Sequence, residues 1–492
     1  MTATASALGF LGLLLVFWHI ILKPVYNIWF HGLRKYPGPL LWRMSPIPRA
    51  WYHARGSLVY KVTELHEKHG DIVRISPTQL AFRQAEAWKD IYGHRAAGEE
   101  ENYKAADFYR PSPRIPASIV NSSRTEHSII RRHLAHGFSD RSMRAQEGII
   151  GSYVDLLVQR LHENASSGPL NMHDWYNWTT FDIIGNLGFG SDFDGLRKNT
   201  HSVWPKLIID ANRLDIIATA LSSIGCGFLG AKLYEFTSSG ARDAQMLSRE
   251  KMKQRIELGK NQDRPDLIHG LIQANLPLET LEANAHLLLQ AGSETTSTLL
   301  CGATWYLGKH PEALKKLTQE VRSTFKNKEE ITLLSVANLH FMLACLNESF
   351  RLYPPVAIGL PRRVPKGGAT IAGESIPEGT DTAVWHWAIN RSPRYWTNPE
   401  EFIPERWMGK DEIFANDRLD AMQVFSTGPR NCIGRNLAYA EMRLILARIL
   451  FDFDLSLAED SQDWTKDMKC YLLWKKPDLN VYLVPVKHSG QI

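Results

Sequence analysis

One short stretch near the C-terminal end of the sequence could do chemistry. Residues 425–434, FSTGPRNCIG, hold Cys432 between Gly428 and Gly434, with Arg430 two residues before the cysteine. Such a cysteine could be a nucleophile, a metal ligand, half of a disulfide or a small buried apolar residue. A catalytic thiol needs a base such as histidine, and no histidine lies near Cys432 in the sequence. The neighbours of the cysteine must therefore decide its role.

These neighbours favour a thiolate that lies against a flat, bulky group. The two glycines allow a sharp turn and a close approach of the backbone, and Arg430 is a permanent cation suited to a carboxylate. The run Ile433–Phe451 has helical apolar spacing, so Cys432 lies just before a helix N-terminus, where the helix dipole stabilises a thiolate. A thiolate beside a carboxylate-binding arginine is what the axial ligand of a haem iron requires.

The arrangement of Phe425, Gly428, Arg430, Cys432 and Gly434 resembles the haem-binding loop of the cytochrome P-450 superfamily, the haem-thiolate monooxygenases. The resemblance implies that Cys432 is the axial ligand of the haem iron and that Phe425 shields its sulfur from water. It also implies that amides of the loop hydrogen-bond the sulfur, which would adjust how strongly the thiolate donates electrons to the iron.

A second motif, AGSETT at residues 291–296, falls in the middle of a long predicted helix, Leu278–Leu307. Taken alone, it could be a tolerated polar patch on a core helix. It resembles the oxygen-binding groove of the same family. The resemblance implies that the Thr295 hydroxyl holds dioxygen and that Glu294 supplies protons through water, because the distal oxygen must leave as water. Ala291 is then expected to face the substrate.

A third set of residues is predicted to be structural. Glu348 and Arg351 lie three residues apart and share one helix face, and the PERW stretch with Arg406 follows. An E-x-x-R pair alone is usually a surface ion pair, but here it lies in an apolar run. The three residues resemble the buried Glu–Arg–Arg cluster of the family, which implies a structural triad under the haem loop.

The resemblance also implies cations for the two haem propionates. His127 and Arg131 lie four residues apart on one helix face, where family members have Trp or His followed by Arg. Arg362 matches a strand arginine that reaches a propionate, although the adjacent Arg363 is an alternative. With Arg430, this gives three candidate arginines for two carboxylates.

Substrate contacts are predicted only by position. They are expected from residues 100–120, from Ala291, and from the segment Val356–Leu360, in which Val356 and Ile358 are the predicted lining residues.

The N-terminus has the character of a membrane anchor. Residues Met1–Leu22 carry no charged side chain, and Thr4–Leu22 is just long enough for the roughly 20 residues that a span needs. Basic residues follow, which predicts that the rest of the chain faces the cytoplasm. A cleaved signal peptide is the alternative, but there is no basic n-region and no clear small-residue cleavage site. We expect a single-pass anchor at residues 1–23 and a basic, proline-rich hinge and domain start at residues 24–56.

The remaining residues, 57–492, predict one large catalytic domain. Amphipathic helical patterns dominate and strand-like runs are short, which indicates a mainly α fold with small β-sheets (α+β), the cytochrome P-450 fold by resemblance. The net charge of +5 is spread along the chain, which argues against a nucleic-acid-binding protein. Five cysteines without a CxxC pair suit a reducing compartment. The apolar stretch Ile216–Leu229 is too short to span a membrane, and could be a buried helix end or a loop that dips into the membrane surface.

The resemblance covers essentially the whole chain and implies an enzyme of the endoplasmic reticulum membrane. It would insert one atom of O2 into a lipophilic small molecule, by hydroxylation or epoxidation. No flavin or nicotinamide module is visible, so electrons would come from a separate membrane-bound NADPH-dependent flavoprotein reductase, docked at the basic side of the haem loop near Arg430 and Arg435. Residues 181–195, FDIIGNLGFGSDFDG, resemble fungal members, which implies tailoring of a terpenoid or polyketide secondary metabolite.

Two alternatives stay open. One is a haem-thiolate isomerase or dehydratase that acts without O2, although such members tend to lose the acid–alcohol pair that Glu294 and Thr295 retain. The other is a non-enzymatic haem sensor or carrier, which would need neither an oxygen-binding groove nor an apolar cavity.

Overall fold

The computed structural model describes residues 17–96, 98–110, 115–198, 216–222, 225–230, 239–257 and 266–487, together with residues 10, 214 and 232. Helices dominate these residues. They are numbered here α1 (Lys23–Trp29), α2 (Leu40–Met44), α3 (Ile47–Ala54), α4 (Leu58–His69), α5 (Glu86–Tyr92), α6 (Ala106–Tyr109), α7 (Arg124–Ala135), α8 (Asp140–Asn164), α9 (Met172–Phe189), α10 (Gly195–Lys198), α11 (Ser239–Glu257), α12 (His269–Gln273), α13 (Leu278–Lys309), α14 (Pro311–Thr324), α15 (His340–Leu352), α16 (His386–Ile389) and α17 (Arg435–Asp452).

The strands are short. They are β1 (Ile72–Ser76), β2 (Gln79–Phe82), β3 (Tyr103–Lys104), β4 (Leu170–Asn171), β5 (Arg362–Arg363), β6 (Ala369–Ile371), β7 (Glu374–Ile376), β8 (Asp381–Val384), β9 (Phe453–Leu457), β10 (Lys469–Cys470), β11 (Trp474–Lys475) and β12 (Asn480–Pro485). The largest sheet has the order β1-β2-β8-β5-β3, in which only β2 and β8 pair in parallel. A second sheet has the order β4-β12-β9, and β6–β7 and β10–β11 form separate antiparallel pairs.

This architecture confirms the predicted mainly helical fold with small sheets. Apolar spacing in the sequence predicts a helix at Thr125–His136, and this is α7, which begins one residue earlier because Ser123 and Glu126 form a capping box. The same spacing predicts a helix at Ile149–His162, and this is α8, which begins nine residues earlier because Ser139 caps it. Apolar periodicity thus located the helices, whereas polar caps set their N-terminal ends.

Helix α13 runs through the main apolar core and packs along α9. It is unbroken through the AGSETT motif. At Gly292, a Cβ would lie 2.7 Å from the Ile184 side chain, so a larger residue there would force that side chain to shift. The Thr180 hydroxyl also lies 3.1 Å from the Ser293 carbonyl oxygen. Contacts with α9 therefore fix the position of the AGSETT motif.

Residues 24–56, predicted as a hinge and domain start, contain α1, α2 and α3 and are fastened to β1. The fully buried Arg74 side chain donates to the Asn27 carbonyl oxygen (2.8 Å), and the Arg74 N–H donates to the Pro37 carbonyl oxygen (2.7 Å). The Asn27 side chain in turn donates to the Met44 carbonyl oxygen (2.8 Å). The proline-rich stretch is therefore part of the folded body.

The predicted anchor at residues 1–23 lies largely outside the described residues. Within it, Trp18–Leu22 form a π-helical turn that leads into α1. Among the helices of the described ranges, none combines the length and the apolar character that a membrane span needs.

The apolar stretch Ile216–Leu229 is described except for residues 223 and 224. Its first half is buried at Ile216 and Ala220, whereas Phe228 is 66% exposed and Leu229 is 45% exposed. Each of the two alternatives thus fits a different half of the stretch.

Candidate active site

The cysteine loop, residues 425–434, closes on itself just before α17. The Cys432 N–H donates to the Phe425 carbonyl oxygen at 2.8 Å. The Phe425 ring lies 5.1 Å from the Phe350 ring and 5.3 Å from the Tyr439 ring, measured between centroids. Aromatic packing therefore fixes the start of the loop next to the cysteine.

The two glycines of the loop differ in what they are needed for. Gly428 has a φ of +76°, and a Cβ there would lie 2.0 Å from the Tyr92 carbonyl oxygen. Glycine is thus required at this position by the packing of the loop on α5. Gly434 has a φ of −85°, and a Cβ there would meet nothing closer than 3.8 Å, so within the chain itself a side chain would fit.

The Cys432 thiol opens into a cavity and forms no disulfide. Burial raises the pKa of the thiol, whereas the Gly434 N–H and the charges of Arg131 and Arg435 act to lower it. A bound metal cation deprotonates a coordinating thiol outright. The site therefore suits a thiolate that forms when a cation binds.

The cavity has a volume of about 300 Å³ and a mostly apolar lining. One wall comes from α13, and another from the residues after α15. The apolar residues that line it are Ile119, Val120, Leu287, Leu288, Ala291, Phe350, Pro355, Val356, Leu360, Val424, Phe425, Ile433, Ala438 and Met442. The cysteine loop and the AGSETT helix thus meet at one cavity.

Two of the three predicted substrate-lining residues reach this cavity. Ala291 and Val356 line it, as does Leu360 at the end of the same segment. Ile358 does not belong to its lining and is instead buried in the main core with 2% exposure. Strand alternation would place Val356, Ile358 and Leu360 on one side of the chain. The chain instead bends at Pro355, Val356 and Ile358, and these bends turn Ile358 away from the other two.

Basic side chains form part of the cavity lining. His127, Arg131 and Arg430 all line it. Arg131 donates to the Asn431 carbonyl oxygen at 2.7 Å, and Arg430 donates to Glu101 at 2.6 Å. Burial, followed by the charges of Arg430, Arg131 and Lys104, lowers the pKa of His127 to about 4. His127 is therefore neutral near pH 7 and can act there only as a hydrogen-bonding group.

The strand arginine Arg362 does not line the cavity itself, but it lies close enough to Arg430 for the two charges to interact. Its side chain is buried, and its Nε has no hydrogen-bond partner among the described residues. Arg363 points the other way and pairs with Asp381 at 2.8 Å. The alternation of side chains along β5 therefore separates the two adjacent arginines.

Two residues that the sequence reasoning did not name join the same cluster. Lys104 and Tyr109 line the cavity, with the Lys104 ammonium 4.0 Å from the centre of the Tyr109 ring. Burial, then the charges of Arg362 and Arg430, lower the pKa of Lys104 well below its usual value. Lys104 pairs with Arg362 across β3 and β5. That long-range pairing leaves no local signal in the sequence.

This cluster fits the propionates of a haem. Burial, with a smaller effect from the charge of Arg430, lowers the pKa values of both Lys104 and Arg362, and no described residue accepts a hydrogen bond from Arg362 Nε. A dianionic group would supply the missing acceptors and charge. With the Cys432 thiol lining the same cavity, the donor set suits a haem bound through iron at one point and carboxylates at another.

The AGSETT helix presents Thr295 to the cavity but not Glu294. Thr295 lines the cavity, and its hydroxyl donates to the Ala291 carbonyl oxygen at 2.6 Å. Glu294 is 2% exposed and forms a buried ion pair with Lys476, whose ammonium also donates to the Thr298 hydroxyl at 2.7 Å. The expected acid and alcohol are thus neighbours in the chain that face different surroundings.

The predicted triad is brought together in full burial. Glu348 accepts hydrogen bonds from Arg351 at 2.7 and 2.9 Å and from Arg406 at 3.0 Å. It also accepts from the Trp407 indole and from the Ile403 N–H, both at 2.9 Å. All three charged side chains are 0% exposed. The carboxylate therefore joins α15 to the turn that contains Arg406.

The arginines of the triad extend this link to the chain around them. Arg351 donates to the carbonyl oxygens of Asn390, Pro399 and Glu401. Arg406 pairs with Asp417 and donates to the Thr397 carbonyl oxygen at 2.9 Å. The cluster thus fixes much of the chain between α16 and the cysteine loop, which is the support that a rigid ligand loop needs.

Comparison with known proteins agrees with this geometry. The sequence profile of the family described as Cytochrome P450 matches residues 36–483. Among similar proteins, Cytochrome P450 monooxygenase tpeC of Talaromyces stipitatus is 47% identical, covering 98% of this chain and 95% of its own. Cytochrome P450 monooxygenase prhB of Penicillium brasilianum is 43% identical, with 97% and 98% covered. Trichothecene C-15 hydroxylase of Fusarium sporotrichioides is 42% identical, with 95% and 96% covered. The chain therefore belongs to the cytochrome P450 family.

Proposed function

We propose that this protein is a membrane-anchored haem-thiolate monooxygenase that inserts one oxygen atom of O2 into a lipophilic small molecule. The observation that carries the proposal is a single apolar cavity that joins the Cys432 thiol, the Thr295 hydroxyl and a crowded cluster of buried cations. When bound, the haem supplies dioxygen activation: one oxygen atom enters the substrate and the other leaves as water, with two electrons and two protons consumed.

Different residues of the chain would bind different parts of the haem. Cys432 would ligate the iron, and the aromatic packing of Phe425 would keep water from its sulfur. Arg131 and Arg362 would hold the two propionates together with Arg430, whose charge is shared with Glu101. His127, Lys104 and Tyr109 would be additional hydrogen-bonding groups.

The proton-handling residues would act from α13. The Thr295 hydroxyl faces the cavity and can accept a hydrogen bond from water or donate one when it leaves the Ala291 carbonyl. Glu294 would supply protons to this region, as expected for the acid of an acid–alcohol pair.

The cavity lining supports a lipophilic substrate. Its walls carry Leu287, Leu288, Ala291, Val356 and Leu360, which offer dispersion contacts and no charge. Among the similar proteins, one is named a trichothecene C-15 hydroxylase. These two points support hydroxylation or epoxidation of a terpenoid or polyketide in fungal secondary metabolism.

Exposed apolar side chains support a bilayer as the protein's surroundings. Trp29, Phe30, Leu40, Leu41 and Trp51 are each 59–67% exposed on the N-terminal helices. Such a group, next to the apolar sequence of residues 1–22, suits a single-pass anchor in the endoplasmic reticulum membrane, with the catalytic domain in the cytoplasm.

A basic groove beside the cysteine loop supports docking of a separate NADPH-dependent flavoprotein reductase. Arg144, Arg435 and Arg443 line this groove, and Arg435 begins the helix that follows Cys432. Arg430, which we expected to contribute, does not fit this role, because its side chain is 4% exposed and is neutralised by Glu101. Charge reversal by Arg435→Glu should slow haem reduction by the reductase, whereas Lys366→Glu, outside the groove, should not.

The test of the proposed function is expression of the full chain with a reductase in membranes, followed by a screen of terpenoid and polyketide metabolites under ¹⁸O₂. We expect an NADPH-dependent product that carries one ¹⁸O atom. Cys432→Ser is the matched control and should lose both the product and the thiolate-type haem spectrum. Product without NADPH would favour an isomerase or dehydratase, and haem binding without any spectral response to metabolites would favour a sensor or carrier; either result would overturn the proposal.

A further inference from the structure

The Glu294–Lys476 ion pair is a buried feature that the cavity does not explain. Glu294 and Lys476 have side-chain exposures of 3% and 0%, and neither residue lines the cavity. Successive residues of an α-helix point about 100° apart, so the Glu294 side chain leaves α13 in a different direction from that of Thr295, which lines the cavity. The carboxylate is therefore held on a side of the helix that does not line the cavity.

Lys476 lies beside Glu294 because its chain segment is fixed on both sides of this residue. It lies between β11 and β12, where the Trp474 indole donates to the Pro354 carbonyl oxygen at 2.8 Å. The Pro477 carbonyl oxygen accepts from the Trp464 indole at 3.1 Å. The position of the ammonium group is thus set by the fold rather than by a mobile surface side chain.

A buried ion pair of this kind is not expected to contribute much to the stability of the fold. Two charges taken out of water rarely stabilise a fold more than apolar residues of the same shape would. Lys476 also satisfies the Thr298 hydroxyl, which is 0% exposed. A lysine committed to an acid directly beside the cavity-facing Thr295 is placed to control that acid.

We propose that Lys476 is a positioning residue for the oxygenation reaction, because it holds the Glu294 carboxylate on a side of α13 that does not line the cavity and makes it available to the cavity only when the ion pair opens. The proposal rests on the proposed role of Glu294 in supplying protons. It adds that the C-terminal segment between β11 and β12 sets the charge and the position of the acid.

The first measurement uses the purified full-length holoprotein without substrate. A buried carboxylate that loses its cation takes up a proton. Infrared difference spectra of Lys476→Met should therefore show a carboxylic-acid C=O band that is absent from the wild type and absent from the Lys476→Met/Glu294→Gln double variant. Lys475→Met is the matched control, because this neighbouring lysine is exposed, and its spectrum should equal that of the wild type.

The second measurement is the ratio of hydrogen peroxide released to NADPH consumed, with the reductase and the substrate found by the metabolite screen. Both Lys476→Met and Glu294→Gln should raise this ratio several-fold and enlarge the solvent deuterium isotope effect. The double variant should be no worse than either single variant, because both changes act through one carboxylate. Lys476→Arg, which keeps the charge, should recover part of the wild-type ratio.

The outcomes distinguish a failure of the proposed role of Glu294 from a failure of the proposed role of Lys476. If Glu294→Gln leaves the peroxide ratio unchanged, the proposed role of Glu294 fails. If Glu294→Gln raises the ratio but Lys476→Met only lowers the Tm, Lys476 is merely structural and the inference is overturned. Multiplicative effects in the double variant would also overturn it, since the two residues would then act independently.

Discussion

The Glu348 cluster allows one prediction to be worked out in detail. In Glu348→Gln the shape is kept, but the negative charge is lost between Arg351 and Arg406, which are both 0% exposed. Five hydrogen bonds converge on the carboxylate, and an amide offers only one acceptor oxygen for these donors. Removing one partner of a buried ion pair costs about 3–5 kcal/mol.

The expected shift follows from the size of the chain. Unfolding entropy scales with length, so each kcal/mol moves the Tm of a protein of this size by about 1 °C, and Glu348→Gln should lower it by about 3–5 °C. Because the cluster supports the chain up to the cysteine loop, haem content per polypeptide should fall as well. Calorimetry of the holoprotein and the ratio of haem to protein absorbance measure the two effects.

A neighbouring glutamate provides the control. Glu405 also forms an ion pair, with Lys316 at 2.7 Å, but both side chains are exposed, at 40% and 51%. Glu405→Gln should change stability by less than about 1 kcal/mol. If the two variants had the same Tm and the same haem content, burial of the triad would not have the energetic weight assigned to it here.

Three further predictions concern the loop, the cation cluster and a buried histidine. Gly428→Ala should abolish stable haem binding, because its Cβ would clash with the Tyr92 carbonyl oxygen. Gly409→Ala, with a φ of +63° and no atom within 4 Å of its Cβ, should lower the free energy of unfolding by only about 1 kcal/mol and keep its haem. Equal loss of haem per polypeptide in the two variants would contradict the clash. Arg362→Met should speed haem transfer to an apo-globin acceptor about 10-fold or more through the loss of a charged hydrogen bond, and a wild-type rate would refute this role. Burial lowers the pKa of His66 to about 4 from 6.5, so the unfolded chain binds more protons and stability should fall as the pH drops from 6.5 to 4. In His66→Gln the Tm should fall less between pH 6.5 and pH 4 than it does in the wild type. An unchanged dependence of the Tm on pH would contradict the lowered pKa of His66.

Those parts of the site whose residues lie close together in the sequence could be predicted. The cysteine loop could be predicted because its residues lie within ten positions, and their chemistry depends on turn geometry and on the helix that follows. Glu348 and Arg351 share one turn of α15 and could be paired for the same reason. Arg406 required the family resemblance, since nothing local joins it to a residue 58 positions earlier.

The parts that escaped prediction depend on long-range contacts. Lys104 reaches the cation cluster through the pairing of β3 with β5, and Lys476 reaches Glu294 across 182 positions. Arg430 looked exposed in the sequence because its partner Glu101 lies 329 positions away. Periodicity and local chemistry describe what one segment offers, whereas these contacts depend on which segments the tertiary fold brings together.

The fastening of the N-terminal segment has a practical consequence for shortening the chain. Arg74 is fully buried; its guanidinium donates to the carbonyl oxygens of Asn27 and Pro77, and its backbone N–H donates to that of Pro37. A deletion that ends before Lys23 keeps all three acceptors, whereas one that reaches Tyr36 removes Asn27 and takes away the acceptor of one nitrogen of this buried charged group. A shortened chain that keeps these contacts must therefore begin before α1, several residues earlier than the proline-rich stretch would suggest.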